Sequence, residues 1–576
     1  MAAAAPVDLE KQQPPKGLKL LAAAFSNKKT GLMVLFGFGA GLPNAVLIGT
    51  IPAWLGEWGV NLATIGLLSW AFLAYAFKFL WSPLVDRVEL PVLGRLGRRR
   101  GWLLLCQVLI VGVLFLLSTI DPRTSIGLFA AVAFIGAFAS ATQDVVVDAW
   151  RIDVADERAT VEVLSSVYQL GYRTASLVGG ALALYLSVYF EWPTVFMIMA
   201  GFMCLALIAT LIAPDTPRPD RSGDDASYRA AGAIDPKWRA IGLSVVGLSW
   251  GWALWTIISF MIQSLSTGEG QTPPSAIEFT RYQGPLIILA TIIIPALVAA
   301  VFNYWRSVGT HVVQSELPPR TGGSRAADHA YQALITPLAE LIRRLGWGVI
   351  IVLLLILTYR ITDSVWGSFA NPFYLKELQY SGDEVAFASK IFGVFMTMAG
   401  IAIGALLFVL IGRMPTLLIG AIVAAVSNLL YADLAVGAPG IDAFATTFGL
   451  DQLGADLRMV RLMIAISGEN LAGGLAGAAY VGYLSSITSR EFSAVQYALL
   501  SSLTLLVGAL GRAPLGQAID EMGYAPVFLF TALIGLIAVV VVIAEWVRTS
   551  FAERKRRGDP HLKTADDFRL AQGDGP

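Results

Sequence analysis

The residues able to do chemistry in this sequence are ionisable side chains set inside apolar runs. The stretch GAFASATQDVVVDAWRIDV holds Asp144 and Asp148 at i and i+4, on one helical face, with Gln143 beside them. Two buried carboxylates hinder each other's ionisation, which is how a carboxylate comes to carry a proton near neutral pH. Asp148 lies nearer to Arg151 and is equally explained as a helix-end ion pair. ILTYRITDSVWGSF carries Arg360 and Asp363 at i and i+3, either as ligand-facing charges or as a pair that satisfies itself and locks the helices. Glu469 and Asn470 precede the small-residue run LAGGLAG, where Glu469 is proton-carrying, substrate-facing or structural. Lys78 stands three residues before Trp81 in AYAFKFLWSP, and Arg173 sits in QLGYRTAS. Together Lys78, Arg173 and Arg360 would draw an anion into a cavity otherwise lined by aromatics, and such mixed polarity suits a ligand that combines sugar and peptide. Each such charge costs at least about 2.5 to 3.5 kcal/mol at the centre of a membrane helix, so each is a functional candidate. Lys390, near a span end, is explained by snorkelling.

Other chemistries lack their residues. The sequence holds neither a G-x-x-x-x-G-K-[ST] phosphate loop nor an H-E-x-x-H zinc motif. Its histidines, His311, His329 and His561, fall in polar segments, and both cysteines, Cys106 and Cys204, lie in apolar runs. Any proton coupling must therefore use carboxylates; no metal, no cofactor, no nucleic-acid partner and no enzymatic activity is expected.

The elements that must position these residues are membrane spans. Of 576 residues, 56% are apolar and 14% charged, and the mean hydropathy is +0.66, which excludes a soluble globular protein. Runs near 20 residues predict helices at about 31–55, 62–83, 101–120, 126–150, 162–188, 193–213, 239–263, 282–304, 346–371, 386–411, 414–435, 459–487, 493–513 and 524–547. The resulting organisation is a tail (1–30), a six-helix bundle (31–213), a linker (214–238), an inserted helix pair (239–304), a linker ending in an interfacial helix (305–345), a second six-helix bundle (346–547) and a tail (548–576). The interfacial helix carries Leu338, Leu341, Ile342 and Leu345 on one face. Lys and Arg cluster before span one, between spans two and three, after span six and in the final tail, so both termini are expected in the cytoplasm. The segments starting at Ala155 and Thr488 resemble each other, as do those at Gly179 and Gly511, which marks an internal repeat. In SPLVDRVELPVLGRLGRRRGW, Asp86 and Arg87 close one helix while Arg98 and Arg99 open the next. This is either a conformational latch or a plain orientation signal.

FGFGAGLP from Phe36, AFKFLWSPLVDR from Ala76, GRRRGWLL from Gly97, SATQDVVVDAWRIDV from Ser140, YRITD from Tyr359, ENLAGG from Glu469 and FSAVQYALLS from Phe492 resemble AmpG-type muropeptide permeases. That resemblance implies a major facilitator transporter of the bacterial inner membrane; its expected partners are the lipid bilayer and substrate, and a monomer is expected although the sequence does not fix the oligomeric state. It also implies import of N-acetylglucosaminyl-1,6-anhydro-N-acetylmuramyl peptides with protons, in cell-wall recycling linked to β-lactam resistance. Carried over, the family's polar motif falls on Gln143, Asp144 and Asp148 and its later charges on Arg360, Asp363 and Glu469. With the reading of the residues above, proton coupling is expected of Asp144, Asp148 and Glu469, substrate contact of Lys78, Trp81, Gln143, Arg173, Arg360, Asp363 and Asn470, and a latch of Asp86, Arg87, Arg98 and Arg99. One departure is the extra helix pair, which lies mid-chain here and at the C-terminus in some relatives. Two alternatives stand beside this reading: a carrier for another bulky anion such as acetyl-CoA, and a membrane enzyme acting on lipid-linked sugars.

Overall fold

The computed structural model describes residues 27–58, 74–75, 77–216, 229–265, 274, 276–360, 370, 373–450 and 456–558. Among these the chain is helical, with one isolated bridge between Ile234 and Val312. In order the helices are α1 (Lys28–Ala45), α2 (Ile51–Glu57), α3 (Ser82–Arg87), α4 (Arg98–Thr119), α5 (Ile126–Val154), α6 (Val161–Ser176), α7 (Ala183–Ser187) and α8 (Trp192–Ile212). Then come α9 (Pro236–Leu265), α10 (Ala276–Ile288), α11 (Ile294–Val308), α12 (Gly323–Leu334), α13 (Thr336–Leu345) and α14 (Gly348–Thr358). The chain closes with α15 (Gly382–Val385), α16 (Gly393–Ile411), α17 (Arg413–Ala435), α18 (Pro439–Thr447), α19 (Leu457–Ile487), α20 (Ser493–Met522) and α21 (Tyr524–Gly558).

Nine helices among the described residues are long and apolar enough to cross a membrane, or ten if α13 and α14, bent by 106°, form one span. Fourteen were expected from the sequence. The helical paths at 28–57 and 161–187 run through π-type turns at Val46–Thr50 and Leu177–Leu182 that divide them into shorter pieces, and most of 62–83 lies outside the described residues. Helices suit this composition because each satisfies its own backbone hydrogen bonds in lipid.

Small residues decide which helices meet. A methyl at Gly37 would overlap the Tyr168 carbonyl, and one at Gly171 would overlap that of Val34, so α1 and α6 touch backbone to backbone. The same reciprocal approach joins α16 and α19 through Gly400 and Gly474. The second half of α5 is buried continuously from Ala139 to Val154, among neighbours that include α4, α1 and α20. Buried polar side chains therefore concentrate on α5, whereas α8 turns Leu205, Ile208 and Leu211 outward.

Candidate functional site

The helical period places Asp144 and Asp148 one turn apart, and the chain entering α3 brings Lys78 against both. Its Nζ lies 3.6 Å from Asp144 Oδ2 and 3.7 Å from Asp148 Oδ2. Asp148 also takes Arg151 at 3.0 Å. The buried guanidinium of Arg151 reaches Ser485 Oγ on α19 at 3.1 Å and lies over the rings of Tyr168 and Tyr497, 5.2 and 5.1 Å from their centroids. Two carboxylates and two cations thus form one buried chain running from α5 toward the C-terminal part. Asp144 Oδ1 accepts no hydrogen bond among the described residues although it is buried. Around it, Gln143 donates to the Gly39 carbonyl at 2.7 Å, and the Trp81 indole donates to Thr142 at 2.9 Å. Arg173 is half-buried on α6.

A second network sits where α3 ends and α4 begins. Gly97 turns at φ 114° with its Cα against the Asp215 carboxylate, a space that a side chain would fill, and so sets Arg98 and Arg99 on the first turn of α4. Arg99, fully buried, donates to Asp86 Oδ1 at 2.8 Å, to Asp153 Oδ2 at 2.9 Å and to Ser493 Oγ at 2.8 Å. Arg98 bonds the Asp86 carbonyl at 2.6 Å. The Asp86 carboxylate accepts the backbone N–H of Val495 at 3.0 Å and of Ala494 at 3.4 Å, both in the first turn of α20, where an anion is favoured. Ser493 in turn donates to Asp153 at 2.9 Å. Arg87 takes another direction and donates to Gln332 on α12 at 2.9 Å. At the same end Arg490 donates to the Ala155 carbonyl at 2.8 Å, and Glu162 lies 3.9 Å from Arg413. The N- and C-terminal parts are therefore tied together at this arginine-rich end.

The C-terminal part holds a third group. Glu469 accepts the Tyr431 hydroxyl, which shares a 2.7 Å hydrogen bond with Tyr374, and Phe373 and Phe528 pack on the Tyr431 ring. Asn470 accepts Thr397 Oγ1 at 2.9 Å. The Arg360 guanidinium packs over Gly477, roughly 12 Å along α19 from Glu469 at 1.5 Å per residue. Asp363 lies outside the described residues.

Residues 33–268 match the family model of the Major Facilitator Superfamily. The solved proton:xylose symporter XylE, bound to 6-bromo-6-deoxy-D-glucose, superposes with a TM-score of 0.53 at 14% identity, covering 90% of this chain and 95% of that one. The N-terminal part of the chain thus resembles the major facilitator superfamily, and the whole chain has the fold of its solved members. Among curated proteins, the anhydromuropeptide permease of Escherichia coli (strain K12) is 28% identical over 528 residues, covering 90% of this chain and 80% of its own. A Rickettsia conorii (strain ATCC VR-613 / Malish 7) protein bearing the transporter name AmpG 4 is 25% identical over 511 residues, covering 88% of this chain and 94% of its own.

The chain therefore has a major facilitator fold, with nine or ten membrane-length helices among the described residues, and the relatives it resembles are named as a permease and a transporter. Of the candidates named from sequence, the fold brings together Lys78, Asp144 and Asp148, and separately Asp86, Arg98 and Arg99. Glu469 and Asn470 meet other partners, Tyr431 and Thr397. Sequence reasoning missed Asp153, Ser493, Tyr497 and Tyr431. Asp153 had a signal, since it follows Arg151 on α5 and stands where an arginine-bearing turn must find an acid. Ser493 and Tyr431 had none, because nothing in a serine or tyrosine within an apolar helix tells which distant charge it meets.

Proposed function

We propose that this transporter imports anhydromuropeptides, N-acetylglucosaminyl-1,6-anhydro-N-acetylmuramyl sugars and their peptides, into the bacterial cytoplasm together with protons. The observation that carries this reading is the buried chain Lys78, Asp144, Asp148, Arg151. A passive pore has no use for four charges that each cost several kcal/mol to bury. The substrate class follows the curated name of the E. coli relative and fits the mixed polarity around the chain. Fourteen crossings, with the arginine-rich end and both termini on the cytoplasmic face of the inner membrane, complete the topology we propose. In that orientation the ties between Asp86, Arg99 and α20 hold the cytoplasmic end shut, and transport alternates between this form and one in which they part.

Chemically, a proton arriving at Asp144 removes one of the two negative charges facing Lys78. The ammonium then turns fully to Asp148, and Arg151 must share that carboxylate with it. Arg151 also holds Ser485 and the Tyr497 ring, so its loosening reaches the contact between the two parts of the molecule. Glu469, hydrogen-bonded to Tyr431, is a second proton carrier in this scheme. Lys78, Trp81, Gln143, Arg173, Arg360, Asp363 and Asn470 hold substrate. The test is uptake of labelled anhydromuropeptide into vesicles containing the purified protein. Accumulation is expected with an inward proton gradient and is lost with a protonophore. Gradient-independent accumulation refutes the coupling, and preference for an unrelated anion such as acetyl-CoA refutes the substrate.

A further inference from the structure

At the arginine-rich end, outside both charge networks, lies a cavity of about 220 Å³. It is formed where the inserted helices α9 and α11, the linker helices α12 and α13 and the segment preceding α20 converge, and its lining includes Arg239, Arg306, Arg343, Tyr331, Asn303 and Glu340. The three arginines come from three different helices, so no local repeat explains their meeting. Arg239 is 3% exposed and pairs with Asp328 at 3.1 Å. Arg306 and Arg343 stand exposed and make no ion pair among the described residues. Two carboxylates also line the cavity: Glu340, whose charge is already engaged by Arg344 at 2.8 Å and by the Gln496 amide at 2.6 Å, and Glu491, so three arginines face two acids and the lining keeps a net positive charge.

We propose that this cavity binds a phosphate-bearing anion. Planar guanidinium forks match phosphate oxygens in charge and geometry. The volume lies below the roughly 300 to 1,000 Å³ of pockets for drug-sized ligands, which suits a headgroup rather than a nucleotide. Its surroundings favour a lipid as the source. Trp238 and Trp305, 5.1 Å apart, and His311, 4.7 and 4.6 Å from them, clamp the ends of α9 and α11 as an aromatic belt does at the headgroup level. Beyond them, Leu248 and Trp252 on α9 and Leu297 and Val301 on α11 face outward, giving acyl chains an apolar surface to run along. Basic pockets between membrane helices bind anionic headgroups in this way.

The test uses the purified full-length protein in detergent. Native mass spectrometry is run with phosphatidylglycerol against phosphatidylcholine, and thermal melting with inorganic phosphate against chloride. Phosphatidylglycerol is expected to be retained preferentially. Arg306→Gln and Arg343→Gln should each weaken retention about fivefold and the pair about 25-fold, from the value of one surface basic residue. Arg123→Gln, an exposed arginine ion-paired at 2.9 Å to Asp121, should change nothing. Ala339→Trp fills the cavity without removing charge and should also abolish retention, which keeps the test decisive if an arginine variant folds poorly. Stabilisation by inorganic phosphate that depends on the same arginines, without lipid preference, supports the site and assigns it a soluble anion. Equal binding of either probe by wild type and the double variant, or no binding of either by wild type, overturns the proposal.

Discussion

Replacing Asp86 by Asn tests whether the arginine-rich end is held shut by the contact at the start of α20. Asp86 is 2% exposed, and its carboxylate has two kinds of partner. Arg99 belongs to the same part of the molecule and stays with Asp86 whether the ends are together or apart, so that bond does not bias the equilibrium. The N–H groups of Val495 and Ala494, at 3.0 and 3.4 Å, belong to the other part and are lost on opening. Asparagine keeps one acceptor oxygen but no charge. It forfeits the charge-assisted component of the shorter bond and the longer bond altogether, about 2 kcal/mol by the usual worth of hydrogen bonds to charged groups. That corresponds to roughly a 30-fold shift in the ratio of closed to open molecules. Spin labels at the exposed Val92 and Glu491, in a background lacking Cys106 and Cys204, should show a short-distance population in the parent that gives way to a longer one in the variant. Ser493→Ala, which removes the bonds to Arg99 and Asp153, should move the populations in the same direction. Identical distance distributions in parent and both variants would refute the latch.

Asp144→Asn should abolish proton-driven accumulation in vesicles while the protein remains in the membrane in normal amount; unchanged accumulation excludes Asp144 as a proton carrier. Arg151→Gln breaks a buried pair and should cost about 3 to 5 kcal/mol in stability, seen as a lowered melting temperature. Asp148→Asn added to Arg151→Gln should recover part of that loss, and simple additivity of the two would show that they do not interact. Tyr431→Phe removes the hydroxyl donated to Glu469 and should slow uptake and alter its pH profile without lowering expression; an unchanged profile detaches Glu469 from coupling. Asp156 lies in the turn between α5 and α6. Burial pushes its pKa up, but bonds from Lys29 and from the backbone N–H of Ala159 and Arg158 outweigh burial and hold it below the usual carboxylate range. A carboxyl depressed on folding stabilises the protein above its unfolded value of about 3.9, and that contribution disappears as pH falls through the folded value. The side chain is 42% exposed, so solvent screening limits the effect to at most about 1 kcal/mol. The melting gap between wild type and Asp156→Asn should be present at pH 7 and narrow below pH 4; a gap that widens on acidification would contradict the sign.

Much of the helix pattern was legible because lipid imposes a simple rule: a long apolar run must satisfy its own backbone. The expected runs at 101–120, 126–150, 193–213 and 414–435 correspond to helices at Arg98–Thr119, Ile126–Val154, Trp192–Ile212 and Arg413–Ala435. The π-type turns at Val46–Thr50 and Leu177–Leu182 were not legible. They face each other across α1 and α6, where Thr50 bonds the Gly179 carbonyl, a pairing with no local signature.

Composition and periodicity by themselves determined that this chain lives in a membrane, that Asp144 and Asp148 share a helix face and that Arg151 lies within reach of Asp148. All three follow from hydropathy or from the 3.6-residue period, which act over a few neighbouring residues. Only the tertiary structure decided that Lys78 faces both carboxylates, that Arg151 reaches Ser485, and that Asp86 bonds the backbone of a residue 409 positions away. Those partners are chosen by which helices can approach closely, through contacts such as Gly37 against Tyr168 and Gly171 against Val34. Close approach is a property of two packed surfaces at once, and neither surface carries it alone.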